Sequence, residues 1–430
     1  MIKQLTNKEN LNDAYWLVYR NKGVSGVDGL SVMELKPHLQ AYGKQYIRQI
    51  EQECYQVAPI RGVEIPKSKG KKRLLGIPTV VDRVFQQALH QVLQPVFEPD
   101  FQKHSYGFRP QRNAHQAIAQ SLENINSGYQ NIVDIDLKSF FDEVEHYILL
   151  ELIYKKVKCK PTMKLLRSFL RAPIRINGKL QKRNKGVPQG SPLSPLLSNI
   201  LLNELDKELE KRGHRYVRYA DDFSIYVRSK KAAKRVGNSI YKFLRNKLQL
   251  PINREKSGIR RPLDFQVLGF GFVPTYKQGE KGKYQLVVKP SKWKEFKSKL
   301  KYLTKKTIPA SFEERISRIN LMIRGWINYF KPASIHAKLK KLEAWLRNRL
   351  RYCIWHHWKK PERKRKNLIR LGVDQDHAYA WSRTRMGGWA VAQSPILRTT
   401  ITISRLKKKG YISLIEYYKR VYPEFCVFEK

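Results

Sequence analysis

The chain has 430 residues, with 85 Lys and Arg against 36 Asp and Glu, a formal charge of +49. Such an excess points to a polyanionic partner, nucleic acid before membrane, and the length allows roughly two or three domains. Cys54, Cys159, Cys353 and Cys426 are scattered with no Cys-x-x-Cys pair, which argues against a disulfide framework or a zinc module, and no apolar run is long enough to cross a bilayer.

In chain order, the spacing of apolar residues predicts helices over 8–20 and 31–53. The loop between them, Asn21–Gly29, carries Gly23, Gly26 and Gly29, so its backbone can approach another closely. Two short extended runs flank a basic tip within Val63–Pro78 and predict a hairpin, with Lys67 and Arg73 on its opposite arms. A point charge and a forked guanidinium placed that way can hold a triphosphate from two directions. A helix opens at Asp82, a loop covers His104–Pro110, and residues 116–125 read as helix.

Ile132, Val133, Ile135 and Leu137 make a buried strand that carries Asp134 and Asp136. Acids in an apolar strand are costly without a partner. Gly186–Asn199 reads as a loop running into a helix from Ser194 to Arg212. Two β-branched and aromatic runs over 215–227 then flank Asp221 and Asp222, a hairpin with acids at its turn. Adjacent carboxylates repel unless a positive charge sits between them, and oxygen-only ligands favour magnesium or manganese. Alone, an Asp-Asp turn is usually only solvated; the blocks around it decide.

A helix over Ala232–Lys247, a loop at Asn253–Ser257 and a strand over 265–270 follow. Beyond about residue 290 the alternation of strand and helix stops. Lys292–Trp358 reads as helical and basic, 359–375 as a charged linker, and the remainder as a small Trp- and Arg-bearing tail. Residues 291–430 hold 34 basic and 10 acidic residues and seven of the eight Trp, an interleaving suited to phosphate contact and base stacking.

These blocks, in this order, resemble a bacterial group II intron-encoded reverse transcriptase/maturase. The resemblance rests on Asn21–Gly29, Ile65–Pro78, Ser105–Pro110, Asp134–Asp142, Gly186–Asn199, Tyr219–Asp222, Asn253–Ser257 and Leu268–Phe270, with Gly325–Phe330 similar to the maturase region. It implies an α/β (α+β) right-hand polymerase fold. Fingers and palm with an antiparallel sheet would occupy 1–288, a helical thumb (maturase) domain 289–358, and a basic DNA-binding-like segment 359–430. The implied reaction is RNA-directed DNA synthesis with two Mg²⁺ ions, Mn²⁺ being a substitute.

Residue by residue, Asp136, the Leu137 backbone carbonyl, Asp221 and Asp222 match the metal ligands. Lys67 and Arg73 match the phosphate clamp, and Phe141 the gate against a ribose 2′-hydroxyl. Gln189 and Gly190 match the loop beside the nascent pair, Lys256 a proton donor to pyrophosphate, and Leu268-Gly269 the grip on the primer. Implied partners are the intron RNA, a template–primer duplex, deoxynucleotides and target DNA, with no membrane and with monomer or dimer left open. The expected setting is the bacterial cytoplasm, and the chain departs from many relatives in lacking the Cys pairs of an HNH endonuclease. A splicing-only maturase, or a domesticated or defence-associated reverse transcriptase, stays open as the alternative.

Overall fold

A computed structural model describes residues 1–66, 72–276, 280 and 282–422. It divides into two units, Met1–Arg261 and Pro262–Lys430. The first unit opens with three helices, α1 (Ile2–Leu5), α2 (Lys8–Arg20) and α3 (Leu35–Glu51). The Asn7 side chain accepts from the Glu9 amide at 2.8 Å and starts α2 where an orphan N–H needs a partner. Strands β1 (Ile60–Pro66) and β2 (Lys72–Ile77) form the basic hairpin, which leads into α4 (Val80–Phe97) and α5 (Ala114–Asn126). Helix α4 begins two residues before Asp82, because Thr79 is its cap and Asp82 sits buried in the first turn.

Next come β3 (Asn131–Ile135), α6 (Phe140–Glu143), α7 (His146–Lys156) and α8 (Lys160–Arg171), then β4 (Ile174–Ile176) and β5 (Lys179–Gln181). Helix α9 (Ser194–Lys211), the hairpin β6 (Arg215–Tyr219) and β7 (Asp222–Val227), α10 (Lys230–Lys247) and β8 (Gly258–Arg260) complete the unit. Two sheets result. One runs β2-β1-β4-β5 and contains a parallel pair, β1 with β4; the other runs β6-β7-β3-β8 and is antiparallel throughout. In the second sheet β3 is central, which explains its near-continuous burial, while the Leu face of α9 and the apolar side of α4 belong to the same core.

The second unit holds a small sheet of β9 (Gln266–Val267), β10 (Phe270–Pro274) and β11 (Tyr284–Val288). The strand expected over 265–270 is broken, because Leu268 and Gly269 both take positive φ, +50° and +87°, and turn the chain between β9 and β10. Helices α11 (Pro290–Leu303), α12 (Phe312–Phe330) and α13 (His336–His357) follow. The stretch expected as a linker contains a helix, α14 (Pro361–Arg370), and five short helices come after it. These are α15 (Gln375–Ser382), α16 (Gly388–Gln393), α17 (Pro395–Thr400), α18 (Ile403–Lys408) and α19 (Leu414–Val421). Among the described residues no helix is long and apolar enough to cross a membrane.

Candidate active site

The acids gather through strand register. Ile135 pairs with Phe223 across β3 and β7, so one further step places Asp136 opposite Asp222. Tyr219 pairs with Asp222 across a two-residue turn made of Ala220 and Asp221, where Ala220 adopts φ +57°. That is a left-handed conformation an alanine takes only under outside constraint.

The constraint is a buried polar network directly beneath the turn. Arg218, on β6, is fully buried and forms a two-pronged ion pair with Asp206 of α9, with Nε and Nη2 at 2.8 and 2.6 Å from its two carboxylate oxygens. Its remaining nitrogen, Nη1, donates to the Ala220 carbonyl at 3.0 Å and to Asn199 Oδ1 at 2.9 Å. Asn199 in turn donates to the Gly107 carbonyl at 2.9 Å. Gly107 packs so tightly on the turn that a Cβ there would fall 2.2 Å from the Ala220 amide nitrogen. The 104–107 loop is itself bonded to β6, with Tyr106 N donating to Arg218 O and Arg218 N to His104 O, each at 2.9 Å.

On the other side of the sheet end, residues 251–257 brace Asp136. The Asp136 amide donates to Ser257 Oγ at 3.0 Å, and the Asn253 amide donates to the Asp136 carbonyl at 2.8 Å. The Asp136 carboxylate accepts from Asn253 Nδ2 at 2.9 Å and faces Lys256 Nζ at 3.1 Å. Lys256, an isolated lysine to the eye in the sequence, is thus brought onto Asp136. Leu137, buried, bridges to Ile252. Asp134 is tied instead to Arg260, whose Nε donates at 2.8 Å.

The electrostatics follow from this crowding. Asp222 is pushed up to about 6, by burial first and then by the charges of Asp221, Asp136 and Asp134, with Lys256 opposing. The residue still reaches solvent, so the like charges are the part that a bound cation would relieve. Burial also raises Asp134 above the usual carboxylate range, against the pull of Arg260. Among the described residues, no three His, Cys, Asp or Glu side chains converge closely enough to hold an ion. The donor chemistry nonetheless fits a hard divalent cation: oxygen ligands only, mutually repelling, at the mouth of one sheet.

The other expected residues fall as follows. Arg73 pairs with Ile65 across the β1–β2 hairpin, and its Nε donates to Gln189 Oε1. The Gln189 carbonyl accepts from the Gly76 amide at 2.8 Å, and Gly190, at φ +114°, lies against the Gly76 carbonyl. Hairpin and loop are therefore joined at Arg73, Gln189 and Gly190. Lys67 lies outside the described residues. Phe141 sits half-buried in α6, edge-on to Phe140, and its carbonyl accepts from the Val187 amide at 2.6 Å. In the second unit, the Leu268 carbonyl accepts from Tyr329 Oη at 2.8 Å and the Gly269 carbonyl from the Lys289 amide at 3.0 Å.

Sequence reasoning missed Arg218, Asp206 and Asn199. One signal was present: Asp206 sits on the apolar face that Leu202, Leu205 and Leu209 present, where an unpaired acid is untenable.

Residues 65–272 match the family model described as reverse transcriptase (RNA-dependent DNA polymerase), and residues 293–372 match that of the group II intron, maturase-specific domain. Protein YkfC of Escherichia coli (strain K12) is 36% identical over 203 residues, covering 45% of this chain and 53% of that protein. Group II intron-encoded protein LtrA of Lactococcus lactis subsp. cremoris is 35% identical over 188 residues, covering 42% of this chain and 30% of LtrA. The chain thus spans about half, or less, of the length of these relatives. A solved partial Cas6-RT-Cas1–Cas2 complex aligns at 25% identity and TM-score 0.38, over 58% of this chain and 43% of that one, a likeness too loose to argue from.

Proposed function

We propose that this chain, which carries a reverse transcriptase domain followed by a group II intron maturase-specific domain, copies RNA into DNA and binds its intron RNA to assist splicing and mobility. The observation that carries the reading is the register that sets Asp136 opposite Asp222, with Asp221 at the adjoining turn. Asp136, the Leu137 carbonyl, Asp221 and Asp222 would hold Mg²⁺, expected as two ions. Bound there, the metal supplies the positive charge that eases deprotonation of a primer 3′-hydroxyl and steadies the departing pyrophosphate.

The chain's own residues do the rest. Arg73 offers a planar fork to the triphosphate, and Gln189 fixes the direction of that fork through its bond to Nε. Phe141 crowds the sugar's 2′ position, Gly190 lets the backbone lie close to the nascent pair, and Lys256 stands beside Asp136 as a proton donor. Lys67 would complete the phosphate clamp, and Leu268-Gly269 the grip on the primer. Partners of this reading are intron RNA, a template–primer duplex, deoxynucleotides and target DNA.

Asp221→Asn removes an anionic ligand while keeping size. Primer extension on an RNA template with magnesium should fall by about a thousandfold or more, with melting unchanged and intron RNA binding retained. Wild-type extension by this variant would overturn the assignment. Loss of RNA binding together with synthesis would overturn the modular form of the reading.

A further inference from the structure

Within the second unit lies a cavity of about 820 Å³, inside the size range of small-molecule sites. Its floor is apolar: Leu406, Ile401, Cys353 and Trp358 are all buried. Its rim is cationic, with exposed Lys306, Lys359, Arg370 and Lys408, against one acid, Glu313, which already has Lys409 at 4.0 Å. The walls are fixed in place. Buried Arg315 spends its guanidinium on the carbonyls of Leu303, Lys305 and Ile308, at 3.1 Å to Lys305 and 3.2 Å to Ile308. Arg349 Nη2 donates to the Thr304 carbonyl at 2.7 Å, and Cys353 Sγ to the same oxygen at 3.1 Å.

A cationic rim alone would suit any phosphate, and an apolar floor alone any hydrophobe. The two together, around a preformed hollow, match a molecule with a flat apolar body and an anionic edge. An unpaired nucleotide is that molecule. We propose that this cavity takes an unpaired base of single-stranded RNA, with the flanking phosphates on Lys306, Lys359, Arg370 and Lys408. The choice of RNA rests on the reading of residues 293–372 as a maturase-specific domain.

The test uses the full chain and three labelled probes of equal length: oligoadenylate RNA, the same backbone without bases, and oligodeoxyadenylate. Ile308→Trp and Ala310→Phe each fill the cavity from its wall. The wild type should bind the RNA about tenfold more tightly than the abasic strand, the value of one stacked base. Either filled variant should bring the two within about twofold, and Arg370→Gln with Lys408→Gln should flatten the salt dependence instead. Primer extension at saturating template should be unchanged in all of them, which separates this site from the polymerase reading. The proposal fails if folded, cavity-filled variants keep the preference for bases, or if the wild type shows none. Equal base-dependent binding of the deoxy strand would overturn the assignment to RNA.

Discussion

Arg218 and Asp206 allow the positioning of the acidic turn to be separated from the stability of the fold. Both side chains are completely buried, and their bonds run from 2.6 to 3.0 Å. Removing one partner alone, as in Arg218→Met or Asp206→Leu, strands a buried charge at a cost of about 3–5 kcal/mol. For a unit of this size that lowers the melting temperature by roughly 10 °C. Replacing both at once removes both charges, and such apolar exchanges are often neutral. The double variant should therefore melt close to wild type. It nonetheless lacks the Nη1 donor that holds the Ala220 carbonyl and Asn199, so the strained turn bearing Asp221 loses its support from below. A displacement of about 1 Å at reacting groups can cost on the order of a hundredfold in rate. The expected result is wild-type melting and template–primer affinity with single-turnover extension reduced about a hundredfold. Asn199→Leu, which cuts the tie to the Gly107 carbonyl while leaving the ion pair, should slow extension in the same direction by a smaller factor. Wild-type rates in a well-folded double variant would refute the positioning role and leave the network purely structural.

Phe141→Val should raise ribonucleotide incorporation relative to deoxynucleotide by about tenfold in single-turnover assays; equal losses for both sugars would return Phe141 to the core. Asp82, buried under bonds from Tyr55, Thr79 and Ala58, is pushed up to about 6 by burial. An acid whose folded value exceeds its unfolded one loses stability as pH rises between the two, so the stability difference between wild type and Asp82→Asn should shift against wild type by up to about 3 kcal/mol from about pH 4 to pH 7. A difference independent of pH would contradict this. On α14, Lys366→Gln with Arg363→Gln should weaken intron RNA binding and lower its salt slope without touching extension on a preannealed template; an unchanged slope would mark the pair as merely solvated. Lys364 should behave differently, since its ammonium lies 4.4 Å from the Trp355 ring and its loss also costs packing.

The β1–β2 and β6–β7 hairpins and several helices were legible because their periods are set by burial on one side, whereas α7, α8 and the β4–β5 hairpin were not read. The spacing over 8–20 and 116–125 predicted α2 and the centre of α5, and the Leu face after Ser194 predicted α9. Asp136 stood out for the opposite reason: an acid in an apolar strand violates the local pattern and so announces a partner elsewhere, whereas Asp221 and Asp222, at a turn, stood out only through the blocks around them. What could not be read was any feature whose cause lies across the fold. The turn at Leu268-Gly269 breaks an otherwise strand-like run where Tyr329 of α12 and Lys289, the residue before α11, capture its two carbonyls. Helix α14 reads as a solvated charge run, yet Lys364 lies over Trp355 and Arg365 over Tyr379, so cations that look like linker serve as packing.

Arg218 makes the same point at the site itself, and Lys256, named only through the family resemblance, has no local signal either. A lysine in a loop and an arginine in a strand carry no periodic signature, and each meets its carboxylate only in the folded chain: Lys256 meets Asp136 at the end of β3, and Arg218 meets Asp206 on α9. The two pairs differ in what surrounds them. The Lys256–Asp136 contact is open to water, where an ion pair contributes little and can be exchanged for another cation. The Arg218–Asp206 pair is sealed, so neither partner can leave without stranding the other. An exchangeable charge stands beside the acid expected to bind metal, and a fixed charge beneath the turn that aims it. On the proposed reading, that division would let a cation replace Lys256 beside Asp136 while the backbone carrying Asp221 stays still.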